Sequence, residues 1–166
     1  DEEIGAIVGM GVDLQLGQRV DSMRKLLEQG GYDAVFVGSG APKGKELNLP
    51  GRHEAAANVH IGIAWLESIA FDHVKEIGKR VLIIGVGNTA MDCCRSSLRL
   101  GASEVKVMAR KPRQFFKASE WELEDAEAEN VQIVINRAPK NFVVENGRLK
   151  RMTFDVMEYD FDTHGQ

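Results

Sequence analysis

Gly85, Gly87 and Ala90 stand at the spacing G-x-G-x-x-A within Gly85-Val86-Gly87-Asn88-Thr89-Ala90. That spacing suits a backbone to a phosphorylated ligand and is the dinucleotide-binding fingerprint. Gly85 lets the chain turn sharply. Gly87 has no Cβ, which leaves room for a pyrophosphate, and Ala90 is small enough for a helix to pack closely on a strand. An anion placed there meets free N–H groups and the positive end of a helix dipole. Asn88 and Thr89 contribute mainly through backbone N–H groups, with the Thr89 hydroxyl as a further contact. Taken alone, the same spacing also fits a tight strand-to-helix turn without a ligand.

A second group lies further along. About 20 residues past such a fingerprint, an NAD-selective site has Asp or Glu to hold the ribose 2′-hydroxyl. This chain has Arg110-Lys111 there. Two cations suit a 2′-phosphate, so NADP(H) is favoured over NAD(H). A solvated basic loop is the plainer alternative. Arg113 is close enough to help, although Pro112 redirects the chain.

The elements that must position these residues can be read around them. Val81-Leu82-Ile83-Ile84 is an apolar strand. Residues 88–100 carry Ala90, Met91, Cys94, Leu98 and Leu100 near helical spacing, and Gly101 stops the helix. Residues 104–109 read as a second strand, which completes a βαβ unit. Ser119 and Glu122 form a capping box for a helix over 120–129, with an acidic, solvated face and a packed side from Leu123, Ala126 and Trp121. Trp121 could instead border a nucleotide pocket. Residues 131–135 give a third strand. Asn146-Gly147 marks a hairpin within an appended β-meander over 141–159, and 160–166 reads as loop.

Upstream, residues 2–10 resemble the tail of a helix, and 12–16 alternate as a strand. Asp21 caps a short helix at 22–29, which Gly30-Gly31 ends. Residues 32–37 read as a mostly buried strand, and 38–51 as an extended connection with a turn at Pro50-Gly51. Residues 58–60 open either a short extended piece or a helix, and 61–71 have helical periodicity.

Composition excludes several classes. The chain has 166 residues, 43% hydrophobic and 28% charged, with a net charge of −4. A general nucleic-acid footprint is therefore not expected. No apolar run approaches the ~20 residues of a membrane span, and the acidic start does not read as a signal peptide. His53, His60 and His73 have no metal-site spacing. Cys93 and Cys94 are adjacent in a helix and point in different directions, which makes a metal pair or a structural disulfide implausible. Reduced thiols fit a cytoplasmic protein.

Taken together, these features resemble the family of the small (beta) subunit of NADPH-dependent glutamate synthase. The wider group is that of FAD-dependent pyridine nucleotide-disulphide oxidoreductases and includes the related region of dihydropyrimidine dehydrogenase. The resemblance runs from about Gly11 to Met157. It is most specific at 81–93, at Arg99-Leu100-Gly101-Ala102 with Glu104-Val105, and at Arg110-Lys111. The 119–129 helix and Asn146-Gly147-Arg148-Leu149 also match. Three places depart: Gly38-Ser39-Gly40 replaces an Ala-Thr-Gly motif, Asn88 replaces Asp, and a Met-Pro pair is missing near Phe115-Phe116.

The resemblance implies an α/β fold. Residues 59–166 would form a Rossmann-like, three-layer βαβ nucleotide-binding domain with the antiparallel meander appended. Residues 1–58 would be a partial FAD-lobe segment and interdomain connection. It implies NADPH bound at Gly85, Gly87, Asn88, Thr89, Ala90, Arg110 and Lys111, with hydride passing to FAD and on to iron–sulfur clusters or a large partner subunit. No catalytic side chain is implied. The FAD fingerprint is expected outside this stretch, so the fragment alone should not hold FAD tightly. The rival readings are a non-catalytic NADP(H)-binding sensing or scaffold module and a non-binding α/β interaction domain.

Overall fold

The computed structural model describes residues 2–40 and 43–160. The chain divides into two compact units, residues 1–40 and 41–166. The first holds two short helices, α1 (Glu2–Gly9) and α2 (Met23–Gln29). Ser22 caps α2, its hydroxyl accepting from the Lys25 N–H at 3.2 Å. Asp21, the expected cap, pairs instead with Arg19 at 2.7 Å. The cap falls on the residue whose short side chain meets the third N–H of the turn.

Two expected strands are corrected here. Residues 12–16 and 32–37 join no ladder among the described residues. Alternation at 12–16 and an apolar run at 32–37 suit strands, but a strand also needs a hydrogen-bonded neighbour. Without one, Leu16 stays 78% and Phe36 95% exposed.

The second unit opens with an irregular stretch, a turn at Pro50-Gly51, and a one-turn 3-10 helix at Ala56–Asn58. Helix α3 (Gly62–Ala70) follows and buries Trp65. Then come β1 (Arg80–Ile84), α4 (Asn88–Arg99), β2 (Glu104–Met108), α5 (Glu120–Ala128) and β3 (Gln132–Val134). The three strands are parallel in the order β1-β2-β3, with Ile83 opposite Val107 and Val107 opposite Ile133. Crossovers of the usual hand, advancing one way across a sheet, put both helices on one face. Met91 and Cys94 of α4 and Leu123 and Ala126 of α5 pack there on Val81, Ile83, Val105, Val107 and Ile133. The expected third layer is incomplete among the described residues. On the other face Met108 is buried, whereas Leu82 and Ile84 are 43% and 38% exposed.

The expected meander is a two-stranded hairpin, β4 (Arg137–Glu145) and β5 (Arg148–Val156), separate from the parallel sheet. Asn146 and Gly147 both have positive φ, 53° and 72°, which joins twisted strands in a two-residue turn. After Val156 the described chain forms no third strand. The loop expected at 160–166 lies, beyond Asp160, outside the described residues.

Helix α5 departs from its expected capping box. Ser119 is the N-cap, but its buried hydroxyl has no hydrogen-bond partner among the described residues. The acidic face is not simply solvated. Arg95 reaches Glu129 at 2.8 Å and Asp125 at 3.0 Å, and buried Glu122 lies 3.8 Å from Arg95. The guanidinium beside Glu129 holds its carboxyl below the usual carboxylate range. These pairs lock α4 to α5, and sequence spacing could not reveal them because the partners lie about 30 residues apart. Trp121, expected on the packed side, is 62% exposed.

Both cysteines are free and buried. Burial raises Cys93 to about 12 and Cys94 to about 11, so both stay protonated, inert core residues at neutral pH.

Candidate functional site

The site forms where β1 hands the chain to α4. Gly85 takes φ +117°, a conformation that strains any residue with a side chain. Its N–H donates to the Met108 carbonyl at 3.1 Å, which stitches the turn to the end of β2. Gly87 is the N-cap of α4, with φ −106° and ψ 173°. An ideal Cβ at Gly87 would meet nothing within 4 Å. The first N–H groups of a helix have no partner within it, so the start of α4 presents donors beside open space.

The segment ahead of α5 is fastened over this turn. The Val86 carbonyl accepts from the N–H groups of Lys117 and Ala118, both at 3.0 Å. The Asn88 Oδ1 accepts from the Ser119 N–H at 3.1 Å. Between this segment and the end of β2 lies a cleft of about 320 Å³, lined by Gly85-Val86-Gly87, Arg110-Lys111, Phe115 and Lys117. It sits outside the carboxyl ends of parallel strands, where open α/β sheets bind ligands.

Four of the expected site residues, Gly85, Gly87, Arg110 and Lys111, therefore share one cleft. Asn88, Thr89 and Ala90 are not among its lining residues. Asn88 spends its carboxamide on Ser119, the Thr89 methyl lies beside Gly62, and Ala90 packs against the core. What these three can offer an anion is backbone N–H at the helix start.

The cations divide into two groups. Arg113 is held by Glu120 at 2.8 Å and Glu127 at 2.5 Å, which raises its pKa further and takes it out of use as a phosphate ligand. Among the described residues, no carboxylate within 4.0 Å pairs with Arg110, Lys111 or Lys117. Lys111 Nζ lies 5.1 Å from the Phe115 ring centroid, a cation–π contact. Lys117 and Phe115 were not singled out from sequence. The available signal was Phe115-Phe116-Lys117 directly before the Ser119 cap, a stretch that registers only as a missing Met-Pro pair. Among the described residues, no cluster of His, Cys, Asp and Glu could hold a metal, and no helix is long and apolar enough to cross a membrane.

With its parallel three-stranded sheet, the glycine turn at the strand ends and a separate antiparallel pair, the chain is similar in fold to parts of thioredoxin reductase-like FAD/NAD(P) oxidoreductases. FprA from Mycobacterium tuberculosis superposes with a TM-score of 0.58 over 77% of this chain and 44% of its own, at 16% identity. Thioredoxin reductase from T. acidophilum superposes with a TM-score of 0.56 over 75% of this chain and 36% of its own, also at 16% identity. The chain belongs to the family Pyridine nucleotide-disulphide oxidoreductase, whose pattern matches residues 8–164.

Relatives bear out the resemblance read from the sequence. The chain is 36% identical over 149 residues to the glutamate synthase [NADPH] small chain of Halomonas elongata, which covers 82% of this chain. It is 37% identical over 154 residues to the NADP(+)-dependent formate dehydrogenase subunit beta of Moorella thermoacetica, covering 90% of this chain. The chain spans 31% and 22% of the lengths of those two relatives.

Proposed function

We propose that the cleft binds NADPH. The pyrophosphate lies over Gly85-Val86-Gly87 and the first N–H groups of α4, and Arg110 and Lys111 hold the 2′-phosphate. Asn88, Thr89 and Ala90 act through backbone only. The observation that carries this reading is the meeting, in one cleft, of a glycine turn and cations that no carboxylate pairs among the described residues, with open space at Gly87 where a Cβ would meet nothing within 4 Å. A pyrophosphate and a 2′-phosphate together match two positive poles. Lys117, fastened to the glycine turn through Val86, belongs to the pyrophosphate pole.

When bound, NADPH supplies a hydride for a flavin held elsewhere in the longer protein. This chain's own residues bind and orient it, and that step needs no side-chain acid or base. We assign residues 1–58 to an FAD-lobe segment and the connection out of it, and 59–166 to the NADPH lobe. The names of the relatives, a small chain and a beta subunit, support a partner subunit; in our reading that partner is the next electron carrier and holds iron–sulfur clusters. Two free, buried cysteines support a cytoplasmic setting.

Titration calorimetry of this chain with NADPH and with NADH tests the proposal. NADPH is expected to bind at one site and more tightly than NADH. Lys117→Ala is expected to weaken both about five-fold, because the pyrophosphate is common to both. No heat with either nucleotide would remove the proposal, and a K117A loss confined to NADPH would move Lys117 to the 2′-phosphate.

A further inference from the structure

Beyond its last described strand the chain returns to the cation pair. Tyr159 lies three residues past β5, and its hydroxyl donates to the backbone carbonyl of Arg110 at 2.7 Å. That carbonyl is at a vulnerable place. The ladder between β2 and β3 ends with Met108 opposite Val134. Ala109 is still tied on both sides, its N–H to the Val134 carbonyl at 2.8 Å and its carbonyl to the Arg137 N–H at 2.9 Å. Arg110 is the first residue past these ties, exposed and lining the cleft. Tyr159 is itself half-buried.

We infer that Tyr159 is a positioning residue for cofactor selectivity: by holding the Arg110 carbonyl it fixes where the cation pair leaves the sheet. This rests on the assignment of Arg110 and Lys111 to the 2′-phosphate. A peptide plane anchored at its carbonyl leaves the adjoining Cα–Cβ bond with a set direction. Less side-chain and backbone freedom then remains to be lost when the phosphate arrives. The anchor touches no part of the ligand shared by NADPH and NADH. Its effect is therefore specific to the 2′-phosphate.

The test is a double-mutant cycle by calorimetry on this chain, using Tyr159→Phe, Arg110→Ala and the double variant against NADPH and NADH, with thermal unfolding of each. Y159F keeps the ring and loses only the hydroxyl. It is expected to weaken NADPH about five-fold, the cost of ordering about one freed side chain on binding, and to leave NADH within about two-fold. In the R110A background the same change is expected to have a smaller effect on NADPH, limited to what Lys111 still contributes. Equal weakening of both cofactors, no change in either, or a full additive loss in the double variant would overturn the inference while leaving the 2′-phosphate assignment standing. A wild-type chain that binds NADPH and NADH alike would overturn that assignment, and this role of Tyr159 with it.

Discussion

Replacing Arg110 and Lys111 together by alanine is expected to weaken NADPH about 100-fold and to change NADH less than about three-fold. The size follows from two charge-assisted contacts to one dianionic group. Each is worth about 1.5–3 kcal/mol when the partner is charged, and partial exposure to solvent argues for the lower end. The cation pair is available for this because no carboxylate within 4.0 Å claims either side chain among the described residues, whereas Arg113 is held by Glu120 and Glu127. Arg113→Ala should therefore behave differently, loosening the start of α5 without altering the preference between cofactors. Affinity measurements on the double variant decide the point: equal losses for NADPH and NADH would show that the two cations do not read the 2′-phosphate.

The second large effect is at Gly87. A valine there is expected to abolish measurable binding of both cofactors, a loss on the order of 100-fold or more, with little change in the unfolding midpoint. The backbone at Gly87, φ −106° and ψ 173°, is one that β-branched residues adopt freely. Its Cβ would meet nothing within 4 Å of the folded chain. The added methyl groups would project into the space where the pyrophosphate must approach, beside the opening N–H groups of α4. Gly85 is the contrasting case, because its φ of +117° makes any side chain costly to the fold itself. Calorimetry and thermal unfolding of G87V, read together, separate a blocked site from a damaged domain. A G87V variant that is stable and binds NADPH normally would mean that the ligand does not cross this turn.

The βαβαβ unit was legible because local and global signals agree there. The apolar run at 81–84, the helical spacing through Met91 and Cys94 and the stop at Gly101 each specify one conformation, and packing rewards the same one; the Asn146-Gly147 turn does the same for the separate hairpin. The position proposed to select the cofactor was legible for a similar reason, since the fold fixes where a strand ends and Arg110-Lys111 falls there. What could not be read depends on partners distant in sequence. The strands expected at 12–16, from alternation, and at 32–37, from an apolar run, have no neighbour to pair with among the described residues. The acidic run of α5 looks like a solvent face until Arg95 and Arg113 are brought to it from other elements. Lys117 and Tyr159 carry no motif. They matter only because Val86 accepts from the Lys117 N–H and the Arg110 carbonyl accepts from the Tyr159 hydroxyl.

The most direct measurement is a backbone amide NMR titration of this chain with NADP+. The largest shifts are expected at Gly85, Val86, Gly87, Asn88 and Thr89, with a second group at Arg110, Lys111 and Lys117. Titration with NAD+ should reproduce the first group and lose most of the second. Shifts that leave residues 85–89 untouched while appearing on another face of the domain would contradict a dinucleotide lying across the turn between β1 and α4.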